Sequence, residues 1–362
     1  FRRVLFRSNR WFVFGTIIVT LWFATWINFK GMKLSSFLSS SGALLGTVIP
    51  GILIILMVVG YLVAGKPAQI SFSWGSLVPD LGNLNQLMLL SGMMVALSGM
   101  EMSAVHVTEM ANPGRQFPKA IFSACFLVIL LSVFGALAIA LVIPPNDISL
   151  AAGADQAFAK IFEIFHISWM TPIMCFLLAY GALTMVITWV LGPSKGVLEV
   201  AKEGYLPQYW QKRNAQGMPT RILILQASLS SVLATTVLFM PTISGAFWVM
   251  SALTAQLYMV MYLLMFAAAI RLRYTQPDKV RPYRIPGGKP GIWIVSGIAF
   301  LTALLAIVVG FIPTGGVRSD GDLADVGYVL FLFFGMVVFV GMPLVFYHIY
   351  EQKKKKMETA AK

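Results

Sequence analysis

Apolar residues in this chain come in long runs, and the polar and charged residues collect in the gaps between them. A run of about 20 apolar residues is long enough to cross the hydrocarbon core of a bilayer as a helix. Nine such runs are predicted as spans, near residues 11–29, 40–64, 84–108, 120–144, 168–192, 222–240, 245–270, 292–313 and 327–348. Backbone punctuation supports the divisions. Pro79, Gly82 and Asn83 precede the third run, and Asn112-Pro113-Gly114 is expected to end it, because proline cannot continue a helix. Pro144-Pro145-Asn146 closes the fourth. Three segments follow: residues 1–10, whose repeated Phe-Arg reads as a scar foreign to the fold; a transmembrane domain over 11–350; and a basic tail over 351–362.

Composition places the chain among polytopic helical membrane proteins. It is 58% hydrophobic and 11% charged, with mean hydropathy +0.80, whereas soluble domains carry about 25% charged residues. The net charge of +13 would suggest a nucleic-acid partner in a soluble protein, but here the cations mark topology. The gaps after the first, third, fifth, seventh and ninth runs hold 20 of the 27 basic residues, while the alternate gaps hold Lys66, Lys160 and Arg318 among Asp80, Asp147, Asp155, Glu163, Asp320, Asp322 and Asp325. Positive gaps face the cytoplasm, so the C-terminus is expected inside and the first run enters from outside; further spans are expected ahead of it. The loop RLRYTQPDKVRPYRIPGGKPG and the run Lys353–Lys356 need no nucleic acid, since anionic headgroups attract each basic residue by about 1 kcal/mol. In GPSKGVLEVAKEGYLP the spacing of Val197, Leu198, Ala201 and Tyr205 predicts a short amphipathic helix on the membrane surface, either a connector or a gate.

Little in the chain suits covalent chemistry. Cys125 and Cys175 lie in apolar runs, His106, His166 and His348 form no ligand pattern, and no metal or cofactor motif is present. No nucleophile–base pair is evident, and Glu101 and His106, five apart, fall on different helical faces. The residue that stands out is Glu101, the one charged side chain well inside a predicted span, next to a break at Ser98-Gly99-Met100. A carboxylate at that depth costs about 2.5–3.5 kcal/mol on insertion scales, so it faces a cavity or a partner: either a solute pathway or an unwound backbone. Tyr258 and Tyr262, four apart, share a face and either bond neighbouring helices or line a path. Trp189, ahead of Gly192-Pro193-Ser194, reads as an interfacial anchor on its own.

Three stretches carry a family resemblance. GMEMSAVHVTEMANPGRQFPKAI resembles the sixth-span signature of the amino acid–polyamine–organocation transporters, WVLGPSKGVLEVAKEGYLP their eighth span and following loop, and RPYRIPGGKPG their basic loop before the eleventh span. Over residues 11–350 the chain is most similar to the bacterial glutamate/γ-aminobutyrate antiporters. The resemblance implies an all-α integral membrane protein of LeuT type, two inverted five-span repeats plus two spans, of which the nine runs would be spans four to twelve. It implies secondary transport of an amino acid across the bacterial inner membrane by alternating access, with a coupled proton as a further partner, and without the missing spans this polypeptide is not expected to transport alone. A transport-inactive membrane protein that binds or senses amino acids is the alternative. The resemblance puts Ser98, Gly99, Met100 and Glu101 at a discontinuous helix that meets substrate, Trp189 on the substrate path, and Tyr258 and Tyr262 beside the site. In two places the chain departs from those antiporters: Met185 replaces an acidic residue one turn before the tryptophan, and the chain stops short of their longer C-terminal tail. Glutamate specificity and acid gating are therefore not implied, and oligomeric state is left open.

Overall fold

The computed structural model describes residues 9–70, 75, 92–94, 96–144, 147–148, 152–240, 242–281, 283–313 and 322–360, and they form helices and connections, with no strand among them. Eight helical segments among them are long and apolar enough to cross a membrane. Residues 84–91 and 95 of the expected span at 84–108 lie outside the described residues. Two compact units divide the chain: residues 1–77 with 125–243, and residues 78–124 with 244–362.

In the first unit, Asn9 starts α1 (Arg10–Phe29) by accepting the N–H groups of Trp11 and Phe12, which the first turn cannot satisfy. The next span begins earlier than its apolar run. α2 (Met32–Ala43) is rich in serine, and those hydroxyls are held by neighbours: Ser35 donates to Asn28 Oδ1 (2.8 Å), Ser39 accepts from Thr188 (2.7 Å), and Ser41 pairs with the Tyr180 hydroxyl (2.7 Å). One π-helical turn, Leu44–Val48, follows before α3 (Ile49–Val63).

α4 (Pro113–Val142) begins at the Asn112-Pro113 step that was expected only to end the preceding span. Proline at the first helical position lacks an N–H that the first turn would leave unpaired anyway, so it opens the helix. α4 starts in the second unit and ends in the first.

α5 (Gly153–Ile164) falls outside the predicted runs, being short and carrying Asp155, Lys160 and Glu163 on its outer face. Its other face, Ala157, Phe158, Ile161 and Phe162, is buried against Ile54, Val58, Ala138, Val142 and Met174. Burial of a face this apolar is what holds so short a helix in place.

α6 (Thr171–Lys202) runs straight through Pro193. The separate surface helix expected after Gly192-Pro193 is instead the end of α6. Ile187, Val190, Leu191, Ser194, Leu198 and Ala201 form one buried stripe across the proline, and burying that stripe keeps the helix on course. Beyond it Asn214 ties the loop to α1 by donating to Phe29 O (2.9 Å), and Arg221 lies 3.7 Å over the Tyr209 ring while donating to Tyr209 O. α7 (Thr220–Ala234) and the short α8 (Thr236–Phe239) complete the unit.

The second unit holds a 3-10 helix (Met100–Glu109), α9 (Ile243–Thr275), α10 (Gly288–Gly310) and α11 (Asp322–Ala360). The basic loop between α9 and α10 turns some of its charge inward. Arg281 donates to the carbonyls of Leu272 (2.9 Å), Gln276 (2.7 Å) and Lys279 (3.0 Å), and Arg273 donates to Ile285 O (3.2 Å). Leu272 O and Gln276 O lie at the C-terminal end of α9, where the last carbonyls lack helical partners, and Arg281 supplies donors to both. Tyr328 on α11 donates to Gly310 O (2.9 Å) at the end of α10. α11 continues through Pro343 to Ala360, so the stretch set apart as a tail is helical over its described part.

Candidate functional site: a carboxylate at a helix break

The segment approaching Glu101 is helical at residues 92–94 and 96, leaves helical geometry at Ser98 and Gly99, and resumes as the 3-10 helix at Met100. Gly99 sits at φ 102°, a left-handed conformation that glycine adopts without penalty. Ten residues is long for a 3-10 helix, a form that within a span marks a hinge or strain.

Glu101 occupies the first turn after the break. Its Oε2 accepts from the Tyr262 hydroxyl at 2.7 Å and from the Gly99 N–H at 3.1 Å, and the Tyr262 oxygen lies 3.3 Å from the same N–H. The Gly99 N–H is thus already taken by the chain's own carboxylate. Oε1 is buried with no hydrogen-bond partner among the described residues. A buried acceptor without a donor costs about 1–3 kcal/mol, more when it is charged.

Helical spacing on α9 aligns the aromatic support. Tyr262 stacks on Phe266 with ring centroids 5.8 Å apart and meets Tyr258 edge-on at 5.9 Å. Met94, Tyr258 and Tyr262 pack around the buried cluster of Met259, Ala303 and Ala306. Gly99, Glu101, Tyr258 and Tyr262 are thus assembled in one unit, with Ser98 and Met100 flanking the break. The side chain of His106 lies outside the described residues.

Trp189 belongs to the first unit. It stands on α6 with Met185 one turn earlier on the same face, the two side chains 38% and 59% exposed. Two neighbours of this turn escaped the sequence reading: Asn28 on α1, whose Nδ2 reaches Ile187 O (3.0 Å), and Gln226 on α7, whose Nε2 reaches Trp189 O (3.3 Å). Pro193, four residues after Trp189, signalled a carbonyl in need of a donor; nothing local named the donor.

One carboxylate oxygen held by two donors and the other bare can accept a cationic N–H group or a proton. Among the described residues no three His, Cys, Asp or Glu side chains group as a metal site. Eight long apolar helices and a buried carboxylate oxygen at a broken helix fit a membrane transporter. A family model for amino acid permeases matches residues 4–341, and the chain belongs to that family, within the amino acid–polyamine–organocation superfamily. It is 37% identical over 341 residues to an uncharacterized transporter of Legionella pneumophila, covering 94% of this chain and 72% of that one. It is 28% identical over 340 residues to a glutamate/gamma-aminobutyrate antiporter of Lactococcus lactis subsp. lactis, covering 93% and 67%. A polyamine transporter, PUT1, of Oryza sativa subsp. japonica matches at 28% identity over 232 residues, covering 64% and 41%. The chain is an integral membrane protein of a transport family and not an enzyme.

Proposed function

We propose that the protein exchanges amino acids across a bacterial inner membrane by alternating access, with its C-terminus in the cytoplasm and Glu101 as the group that reads the substrate's ammonium. The observation that carries this is the asymmetry of Glu101: Oε2 is fixed by Tyr262 and Gly99, and Oε1 is buried and bare. A primary ammonium is the group that glutamate, γ-aminobutyrate and polyamines, named in the relatives, have in common. Meeting it with a buried carboxylate oxygen forms a charge-assisted bond about twice as strong as a neutral one. Between substrates a proton on the same carboxyl neutralises the charge, which makes proton coupling part of the proposal. Tyr258 and Tyr262 wall this site, and Trp189, which belongs to the other unit, is taken to line the substrate path.

The test is counterflow. The protein, expressed from its complete reading frame and reconstituted in liposomes loaded with unlabelled solute, is offered labelled glutamate, γ-aminobutyrate, glutamine and neutral amino acids. Exchange of at least one is expected. Protection by an amino acid without flux would replace transport by sensing, and the lack of both would overturn the proposal.

A further inference from the structure

Pro193 lies within α6, and a proline in a helix has no N–H to give to the carbonyl four residues earlier. That carbonyl is Trp189 O. Gln226 Nε2, from α7, lies 3.3 Å from it. The other end of the same amide is also engaged: Gln226 Oε1 is 2.6 Å from the hydroxyl of Ser194, which is fully buried and also 2.8 Å from Val190 O. The amide orientation follows from chemistry. A carbonyl only accepts, so the NH2 must face Trp189 O, and the hydroxyl can donate to the amide oxygen.

Gln226 stands between Leu223 and Ala227 on the buried face of α7, where Leu223 packs with Leu21, Val190, Leu191 and Met218. A glutamine on so apolar a face needs a reason, and the two ends of its amide supply one. On the other side of α6, the wholly buried Asn28 donates to Ile187 O at 3.0 Å. The turn that carries Trp189 is therefore held by side chains from α1 and α7, where an uninterrupted helix would be held by its own backbone.

We infer that Gln226 is a positioning residue for substrate: it supplies the donor that Pro193 withholds from Trp189 O and so fixes how the Trp189 indole is presented. The inference rests on the proposed place of Trp189 on the substrate path. Removing the donor takes away the partner that α7 gives Trp189 O, and the turn relieves this by shifting, which moves the indole.

The test is a cycle of Gln226→Met and Pro193→Ala. Gln226→Met alone is expected to raise the KM of exchange about tenfold with little change in maximal rate, the scale of one lost hydrogen bond. Pro193→Ala returns a backbone donor to Trp189 O, so in that background Gln226→Met should have little further effect. A second readout is independent of flux: the 19F resonance of 5-fluorotryptophan at position 189, assigned through Trp189→Phe, should shift in Gln226→Met and return in the double variant. If Gln226→Met does not fold, Gln226→Glu keeps an acceptor for Ser194, lacks the donor, and serves in its place. An unmoved resonance, or equal effects of the Gln226 change with and without Pro193, overturns the inference. A resonance that moves and is rescued while KM stays fixed upholds the tie between Gln226 and Trp189 and refutes the role of Trp189 in substrate binding.

Discussion

Gly46 and Gly181 meet backbone to backbone where the π-helical turn crosses α6: a Cβ on Gly181 would lie 2.7 Å from Gly46 O, and one on Gly46 would run into the Gly181 Cα. Alanine at either position must part the helices, at about 1–3 kcal/mol by the usual penalty for overpacking. The apparent unfolding temperature of the purified protein in detergent should fall for Gly46→Ala and Gly181→Ala. It should hold for Gly15→Ala, where an added Cβ meets nothing within 4 Å.

Glu101→Gln keeps an acceptor for Tyr262 and Gly99 and removes the negative charge. Apparent affinity for ammonium-bearing substrates should drop about tenfold or more, the scale of a lost charge-assisted bond. Initial exchange rates over a range of substrate concentrations check it. An unchanged KM would assign Glu101 to structure.

Tyr262→Phe preserves the stack on Phe266 and deletes the hydroxyl at 2.7 Å from Glu101 Oε2. Hydrogen bonds to charged groups contribute about 1.5–3 kcal/mol, so exchange should slow by about 10- to 100-fold with the protein still folded. Rates per reconstituted molecule, set beside unfolding temperatures, separate a site effect from a fold effect.

Asn28→Ala breaks a junction of three helices, because its side chain bonds Ala24 O, Ile187 O and Ser35 in a wholly buried place. A loss of about 1–3 kcal/mol is expected from the groups left unpaired. Thermal unfolding checks it, with the exposed Ser36→Ala as the unaffected control.

What could be read in advance followed from local chemistry. A lone acid in an apolar run, beside a glycine, announces both a break and a buried charge, and Gly99 and Glu101 show both. Span positions came from run length, which a bilayer enforces. Two of the misreadings share a cause: each concerned a group whose partner lies far along the chain. The serines of α2 looked like loop because Asn28, Tyr180 and Thr188 could not be foreseen as their partners. Pro193 looked like a helix end because its cost is met by Gln226 and a buried stripe. Asn112-Pro113 reads equally as a stop or a start until the next helix is seen. α5 has the helical spacing of Phe158, Ile161 and Phe162, but at 12 residues with three charges it is too short and too polar to read as a span.

The π-helical turn also sets the phase of its span. The N–H of Ile49 bonds Leu44 O, five residues back, so this turn holds one residue more than an α-helix would allow. Shortening Leu44–Val48 by a single residue would close the turn and swing everything ahead of it by about 100°. Ser35, Ser39 and Ser41 would then face away from Asn28, Thr188 and Tyr180. In this part of the chain a residue's count from its neighbours matters more than its identity: point changes at Leu44 or Leu45, both turned outward, should be tolerated, while a one-residue deletion between them and Val48 should leave the span unable to dock.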